Sequence, residues 1–250
     1  MASNFSARFR DGSQPQDSLK QGMGESFHEK AQVDLLAGLL TRRSVRKFLP
    51  KPVSLDTVRE LIKYGTHAPT ACNFQAWRFV VVTDEQIRES LINAGGGQVI
   101  RSSPVGILVF YDNRTRNVLY RDDIQSASAC IQNILVAAHA MGLGACWICS
   151  LPAPAYIRRL LNVPGSFSPV AYVAIGYPAA QPKEVLRRRA LDNLLGINRF
   201  PNEGLEKGTN VFALWLERFM ILVYLKLPAA VKKRFLNRIV DKLFTKKFEN

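Results

Sequence analysis

Four runs of apolar residues lie between residues 79 and 178, with almost no polar interruption. They are FVVVT (79–83), VGILVFY (105–111), ACWIC (145–149) and PVAYVAIGYP (169–178). A strand with one face in water alternates apolar and polar residues, whereas a strand covered on both faces is apolar throughout. The pattern therefore predicts four strands of a sheet that is buried between layers.

Helical patterns separate these strands. Ser54 has the side chain of an N-cap, apolar residues recur at helical spacing after it, and Gly65 is a stop signal. The long segment 121–141 is apolar on most sides and should be central. Strands that alternate with helices indicate an α+β or α/β layered fold. Further helices are predicted for 33–40, 84–94 and 152–162.

Composition divides the chain into three parts. Residues 1–30 are polar and rich in Ser, Gln and Gly, which predicts a mobile tail. Residues 31–200 contain the alternating elements and form the predicted globular domain, because 250 residues suit one domain with decoration. Residues 201–250 form a predicted helical extension.

The net charge of +14 points to anionic partners. Neither a nucleic-acid-binding motif nor a basic stripe interleaved with aromatic residues is present, so we expect no nucleic-acid partner. Residues 1–30 contain no apolar signal-peptide region, and the four cysteines have no spacing typical of a secreted disulfide scaffold. We therefore expect a cytoplasmic protein with reduced thiols.

Part of the positive charge is concentrated in RRSVRKF (42–48), which contains no acid. We call Arg42, Arg43, Ser44 and Arg46 the basic cluster. Arginine is well suited to phosphate because its planar guanidinium donates two parallel hydrogen bonds. The cluster therefore predicts a phosphate site, although a solvated basic turn would have the same sequence.

A second candidate is HAPTACNFQAW (67–77), which we call the amide loop and which directly precedes a predicted strand. Asn73 and Gln75 are two residues apart, so in an extended chain their side chains would point the same way. Amides both donate and accept hydrogen bonds, as a ring with mixed polar groups requires. The alternative is turn chemistry, in which Asn73 caps the loop.

These two segments and IQNILVAAHAMGLGACWI (131–148), in this order and spacing, resemble the nitroreductase family of FMN-dependent oxidoreductases. The resemblance covers roughly residues 33–195. It implies an α+β three-layer fold with a central mixed sheet flanked by helices. It also implies a homodimer with an FMN at each of two interfacial sites, and NADH or NADPH as a transient reductant.

The resemblance assigns residues of this chain to the parts of the FMN site. The basic cluster and a late pair, Arg187 and Arg189, would hold the phosphate and ribityl chain. Gln98 would contact the ring edge. The backbone at Cys149 and Ser150 would lie near the flavin N5. The partner's loop would contribute Pro69, Thr70, Ala71 and Asn73, and the segment along the ring would comprise Trp147, Ile148, Cys149 and Ser150.

The chain departs from the family pattern at three positions. Ala76 stands where a proline commonly precedes the tryptophan, and Cys149 and Ser150 stand where Gly or Glu is common. If the backbone amide is the working group, these changes leave the chemistry intact. They would alter the shape of the pocket and hence the choice of substrate.

Cys146 and Cys149 form a C-x-x-C pair, which in a strand favours packing or lining of the flavin edge over redox pairing, and we expect no metal. We expect His139 to be a core or capping residue, and we assign His67 no role. GLGACW (142–147) lacks the third glycine of a dinucleotide motif and follows a helix, so the nicotinamide would bind transiently over the flavin.

The C-terminal extension has two apolar segments. Residues 211–227 contain Glu217 and Arg218, which argues against a transmembrane helix. Residues 232–248 are amphipathic and basic, which suits an acidic membrane surface. Packing of both segments on the dimer is the alternative, so peripheral membrane contact through 211–248 stays open.

These features predict an enzyme whose flavin performs the chemistry, without a catalytic side chain. We expect hydride transfer from NAD(P)H in a ping-pong cycle, with nitroaromatic or quinone-like acceptors. A flavin-dependent dehalogenase or biosynthetic dehydrogenase is one alternative. The other is a membrane-peripheral flavin-binding protein with little turnover.

Overall fold

A computed structural model describes residues 35–115, 117, 119–180, 182, 185, 189–201, 212, 215, 216 and 219. The predicted tail 1–30, the basic segment 232–248 and Arg187 lie outside the described residues. The helices are α1 (Leu35–Thr41), α2 (Leu55–Thr66), α3 (Glu85–Asn93), α4 (Val99–Ser102), α5 (Asp122–Ala140) and α6 (Pro154–Leu160). The strands are β1 (Trp77–Val82), β2 (Val105–Asp112), β3 (Gly144–Ile148) and β4 (Phe167–Gly176).

The four strands form one sheet in the order β1-β2-β4-β3. Each of its three strand pairings is antiparallel. The α+β fold is confirmed, but the predicted mixed sheet is corrected, because parallel pairing in the described chain is limited to an isolated bridge between Ser44 and Ala145. The continuous apolar runs predicted that the strands are buried on both faces. Burial of this kind occurs in parallel and antiparallel sheets alike, so it does not reveal the direction of the strands.

Two apolar clusters lie on opposite faces of the sheet. On one face, Ile107 and Val109 of β2 pack with Ile131 and Ile134 of α5. The cluster on the other face contains Leu108 and Phe110 of β2, Leu91 of α3, Ile100 of α4 and Ile157 of α6. Every residue of β2 is buried, as expected for a strand between two helical layers.

Local signals place the helices close to their predicted bounds. The Ser54 hydroxyl accepts a hydrogen bond from the Thr57 amide and caps α2, as predicted. The short helix α4 follows three glycines and was not predicted, since four residues are too few for a periodic pattern. Among the described residues, no helix is both long enough and apolar enough to cross a bilayer.

Candidate functional site

The basic cluster lies across the start of β3 and the end of β4. The Val45 amide donates to the Ala145 carbonyl at 3.0 Å, and the Leu49 amide donates to the Tyr177 carbonyl at 2.8 Å. A Cβ on Gly144 would lie 2.7 Å from the Val45 side chain, so only glycine permits this approach without a shift. The sheet therefore fixes the backbone that carries the arginines.

The arginines of the cluster have no carboxylate partner among the described residues, whereas Arg101 and Arg114 are paired with Glu89 and Asp112. Arg43 donates to the carbonyl of Leu40 at 2.7 Å. The Nε atoms of Arg42 and Arg43 are buried and have no hydrogen-bond partner. Buried donors of this kind are costly unless something accepts from them, so the cluster is suited to an anion.

The positive charge of the basic cluster affects His139, which lies near the end of α5. Desolvation, together with the cations Arg42 and Arg43, lowers the pKa of His139 below its usual value. Its Nε2 lies 3.0 Å from the Thr41 hydroxyl at the end of α1. This contact supports the prediction that His139 has a structural role. The effect of Arg42 and Arg43 on the pKa of His139 also shows that these arginines lie near the C-terminal end of α5.

The amide loop has an unusual backbone. Cys72, Asn73 and Gln75 have φ values of 49°, 55° and 48°, a region that side-chain-bearing residues seldom occupy. The Gln75 amide nitrogen donates to the Asn73 side-chain oxygen at 2.8 Å. The two amides thus lie together as predicted, but a turn brings them together rather than an extended chain. Such strain is concentrated at functional sites.

Ser126 of α5 anchors this loop. The Ala71 amide donates to its hydroxyl at 3.2 Å, and the Trp77 indole donates to its carbonyl at 3.3 Å. Along α5, Ser126 lies roughly 20 Å from His139, at a rise of about 1.5 Å per residue. The part of the amide loop that Ser126 anchors, from Ala71 to Trp77, is therefore held away from the end of α5 where Arg42 and Arg43 act on His139.

The end of β3 meets the glycine-rich segment that precedes α4. The Gly97 amide donates to the Ser150 carbonyl at 3.0 Å, which brings Gln98 beside the Cys149–Ser150 segment. At the other end of α4, the Ser102 hydroxyl donates to the Arg46 carbonyl at 3.0 Å. Residues predicted separately as phosphate, ring-edge and N5 contacts thus lie along one border of the domain.

Arg189 is not brought to this border. It lines a cavity of about 470 Å³ with Arg199, Leu194 and Phe200, and none of the lining residues belongs to the basic cluster. Its predicted partner Arg187 lies outside the described residues. The role of the late arginine pair at the phosphate therefore stays a prediction.

The four cysteines are free thiols. Cys146 is buried, and burial raises the pKa of its thiol despite the opposing effect of Arg46. A raised pKa leaves little thiolate, so Cys146 packs rather than reacts. Cys149 is exposed at the end of β3. Within the described ranges, no group of three or more His, Cys, Asp or Glu residues is arranged to hold a metal ion.

Sequence reasoning missed a second cavity, of about 300 Å³, between the start of α5 and the end of β3. Asp123 and Trp147 line it, and the buried Asp123 Oδ1 and Trp147 Nε1 have no hydrogen-bond partner. The sequence signal was the acidic pair Asp122 and Asp123 before an apolar helix. That pair is also the ordinary pattern of a helix start, so it could not identify a site.

Comparison with known proteins places this arrangement in a family. The family model described as Nitroreductase family matches residues 39–100 and 92–177. A protein of Methanothermobacter thermautotrophicus that carries the name NADH dehydrogenase/NAD(P)H nitroreductase is 31% identical over 156 residues, which cover 61% of this chain and 81% of that protein.

Solved structures agree with this result. An FMN-dependent nitroreductase from Clostridium difficile has a TM-score of 0.57 and 29% identity, and the match covers 66% of this chain and 99% of that one. A protein of Desulfovibrio desulfuricans solved in complex with FMN has a TM-score of 0.57 and 33% identity, with coverage of 67% and 98%. Since the family model spans more than half of the sequence and includes the basic cluster, the amide loop and β3, this chain belongs to the nitroreductase family.

Proposed function

We propose that this chain is an FMN-dependent oxidoreductase that accepts a hydride from NADH or NADPH and passes electrons to nitroaromatic or quinone-like acceptors. The observation that carries the proposal is the basic cluster, in which two buried arginine Nε atoms have no partner. A phosphate monoester of charge about −1.5 to −2 would accept from them. The relatives named FMN-dependent nitroreductase and NADPH-flavin oxidoreductase support the same cofactor and reductant.

The chain's own residues divide the work of holding FMN. Arg42, Arg43 and Arg46, with the Ser44 hydroxyl, would hold the phosphate end on the rigid start of β3. The Cys149–Ser150 backbone and Gln98 would orient the ring end along the same border. Bound FMN supplies hydride and electron transfer, while the protein controls orientation and access.

A second copy of the chain would complete the site. Ser126 holds Ala71 and Trp77 of the amide loop roughly 20 Å along α5 from His139, so this part of the loop lies away from the arginines of its own chain. Helix α1 buries only Gly38 and exposes Leu36 and Leu40, which are 68% and 72% accessible. Apolar faces of this kind are typical of interfaces, so we propose a homodimer in which each amide loop covers the partner's flavin.

Peripheral membrane contact is a second candidate with an observation of its own. Phe212, Trp215 and Phe219 are exposed and lie on one helical face, with stacked rings whose centroids are 6.2 and 5.7 Å apart. The residues that follow are basic, since 226–250 contain eight Lys or Arg and two acids. Aromatic side chains beside a cationic segment suit an acidic lipid surface.

The absorbance spectrum of the purified protein with added FMN tests the proposed function. We expect a bound-flavin spectrum that NADH or NADPH bleaches without oxygen, and that a nitroaromatic or quinone restores. A protein that stays colourless with excess FMN would overturn the proposal. A reduced flavin reoxidised only by a haloaromatic would instead favour the dehalogenase.

Vesicle flotation tests the membrane candidate on the full chain. We expect co-flotation with vesicles containing phosphatidylserine, but not with neutral vesicles. Replacement of Phe212, Trp215 and Phe219 by serine should abolish it. Equal recovery of both proteins in the soluble fraction would contradict the membrane candidate.

A further inference from the structure

The helical residues late in the chain present an aromatic surface to solvent. Phe212, Trp215 and Phe219 are 66%, 60% and 50% exposed, and Leu216 beside them is 46% exposed. Their spacing of three and four positions places the three rings on one side of a helix. We call these four residues the aromatic face. Neighbouring exposed apolar side chains of this size mark a surface that binds a partner.

The sequence around the aromatic face combines apolar length with positive charge. Fourteen of the 17 residues in 211–227 are apolar, and the segment is shorter than the about 20 residues that a spanning helix requires. Residues 226–250 then carry eight Lys or Arg against two acids, a net charge of +6. An apolar helical surface followed by cations is the pattern of a segment that lies in the plane of an acidic lipid surface.

The charge favours lipid over a second copy of the chain as the occupant of this face. A two-fold interface places the same surface of each subunit against the other. Pairing of two aromatic faces would therefore bring together two adjoining segments of net charge +6 each, and like charges repel. An acidic lipid surface instead neutralises those charges while the aromatic side chains leave water. Helix α1 already exposes Leu36 and Leu40 for the proposed dimer.

We propose that the acceptor of this enzyme is a quinone dissolved in the membrane, which the chain meets while the aromatic face rests in an acidic lipid surface. This inference rests on the proposed oxidoreductase function and narrows its acceptor class. A hydrocarbon chain confines a quinone to the bilayer, because burial of each methylene is favourable. An enzyme held at the same surface meets that quinone at a raised effective concentration. An acceptor dissolved in water gains nothing from the attachment.

The proposed reaction balances without a further reactant. NADH or NADPH loses a hydride from its C4–H bond and leaves as the oxidised pyridinium. The bound flavin carries the electron pair and ends the cycle oxidised, as it began. The quinone gains two electrons and two protons, one that came with the hydride and one from water. Both of its carbonyl oxygens thereby become hydroxyls, and the product is a hydroquinone that stays in the bilayer.

The direct test compares one quinone in two kinds of vesicle. Full-length, FMN-loaded protein oxidises NADH without oxygen, with a long-chain isoprenoid benzoquinone embedded in phosphatidylcholine vesicles that contain or lack phosphatidylserine. We expect at least about tenfold faster oxidation with phosphatidylserine, because attachment raises the effective concentration of the quinone. Salt at about 1 M, where the screening length falls to about 3 Å, should remove the difference. A benzoquinone without the chain should react equally fast with both kinds of vesicle.

Replacement of Phe212, Trp215 and Phe219 by serine tests the aromatic face itself. The triple variant should lose the advantage of acidic vesicles for the long-chain quinone and keep the wild-type rate with the chainless one. Circular dichroism and flavin content show that the variant is folded and loaded. Leu55→Ser with Tyr64→Ser is the matched control, because it also removes exposed apolar side chains, but from α2. This control should keep the advantage.

The outcomes separate this inference from the proposed function. If the chainless quinone reoxidises the flavin but acidic lipid gives the long-chain quinone no advantage, the inference is wrong and the proposed function stands. Flotation with acidic vesicles without faster reduction of the long-chain quinone would also contradict the inference. A triple variant that becomes monomeric in light scattering would assign the aromatic face to the dimer and overturn the inference. A protein that binds no flavin would overturn both.

Discussion

The two ends of α5 present opposite chemistry. Its C-terminal end lies beside Arg42 and Arg43, cations with no carboxylate partner in the described chain. Desolvation, together with the field of these cations, lowers the pKa of His139. Its N-terminal end carries Asp123, a buried carboxylate oxygen without a donor. The C-terminal end is therefore suited to an anion, and the N-terminal end is suited to a hydrogen-bond donor or a cation. The comparison indicates that one helix separates a region suited to an anion from a region that carries a carboxylate oxygen without a hydrogen-bond partner.

Among the changes that test this difference between the two ends of α5, removal of arginines should have the largest effect, a loss of FMN affinity. Arg42→Ala with Arg189→Ala should lower FMN affinity by at least about a hundredfold, because hydrogen bonds to charged groups contribute roughly 1.5–3 kcal/mol each. Flavin fluorescence during titration measures the affinity, and circular dichroism checks that the fold survives.

Arg59→Ala is the control for that double variant, because Arg59 is an exposed arginine whose ion pair among the described residues is with Asp56 of its own helix. It should keep wild-type affinity. Comparison of the single variants then assigns the loss to each position. If Arg42→Ala accounts for all of it, Arg189 does not contact the phosphate.

Gly144→Ala should displace the backbone segment that carries the basic cluster, near the C-terminal end of α5. The new methyl would lie 2.7 Å from Val45, so the segment that carries the basic cluster must shift. Overpacking costs about 1–3 kcal/mol, and FMN affinity should fall with stability. Chemical denaturation and FMN titration measure the two effects. Gly165→Ala, where a Cβ meets nothing within 4 Å, is the matched control.

Ser126→Ala should loosen the amide loop. The substitution removes the acceptor of the Ala71 amide, while the Trp77 indole keeps its bond to the backbone carbonyl. The free energy of unfolding should fall by about 1 kcal/mol. Hydrogen exchange at the Ala71 amide should accelerate, and unchanged exchange there would show that the hydroxyl does not anchor the loop.

The titration of His139 should give the smallest and most specific effect. Desolvation and then the arginine cations lower its pKa, so the folded state binds fewer protons than the unfolded state between that pKa and about 6.5. The contribution of His139 to the free energy of unfolding is fully present at a pH above its pKa in the unfolded state. It is lost as the pH falls through the pKa of His139 in the folded state. His139→Gln should flatten that dependence.

FMN binding provides a second readout at the same histidine. A phosphate on the basic cluster would offset the field of Arg42 and Arg43, so the pKa of His139 should rise when FMN binds. NMR of the imidazole protons during a pH titration measures it with and without FMN. An unchanged pKa in the loaded protein would place the anion elsewhere.

The features of the fold that depend on local sequence patterns were predicted correctly. Continuous apolar runs identified all four described strands, and Ser54 marked the start of α2. The antiparallel order was not predictable, since burial on both faces does not depend on direction. The basic cluster was visible because its residues are contiguous. Asp123 and Trp147 were not, because only the fold brings residues 24 positions apart to one cavity, and each has an ordinary structural interpretation.

Comparison of FMN with riboflavin tests the central claim most directly, since the two flavins differ only in the phosphate. Each is titrated into flavin-free, full-length protein at fixed salt while flavin fluorescence is recorded. If the basic cluster holds the phosphate, FMN should bind at least about a hundredfold more tightly than riboflavin, and Arg42→Ala should remove most of that difference. Equal affinity for the two flavins in the wild-type protein would contradict the assignment of the basic cluster.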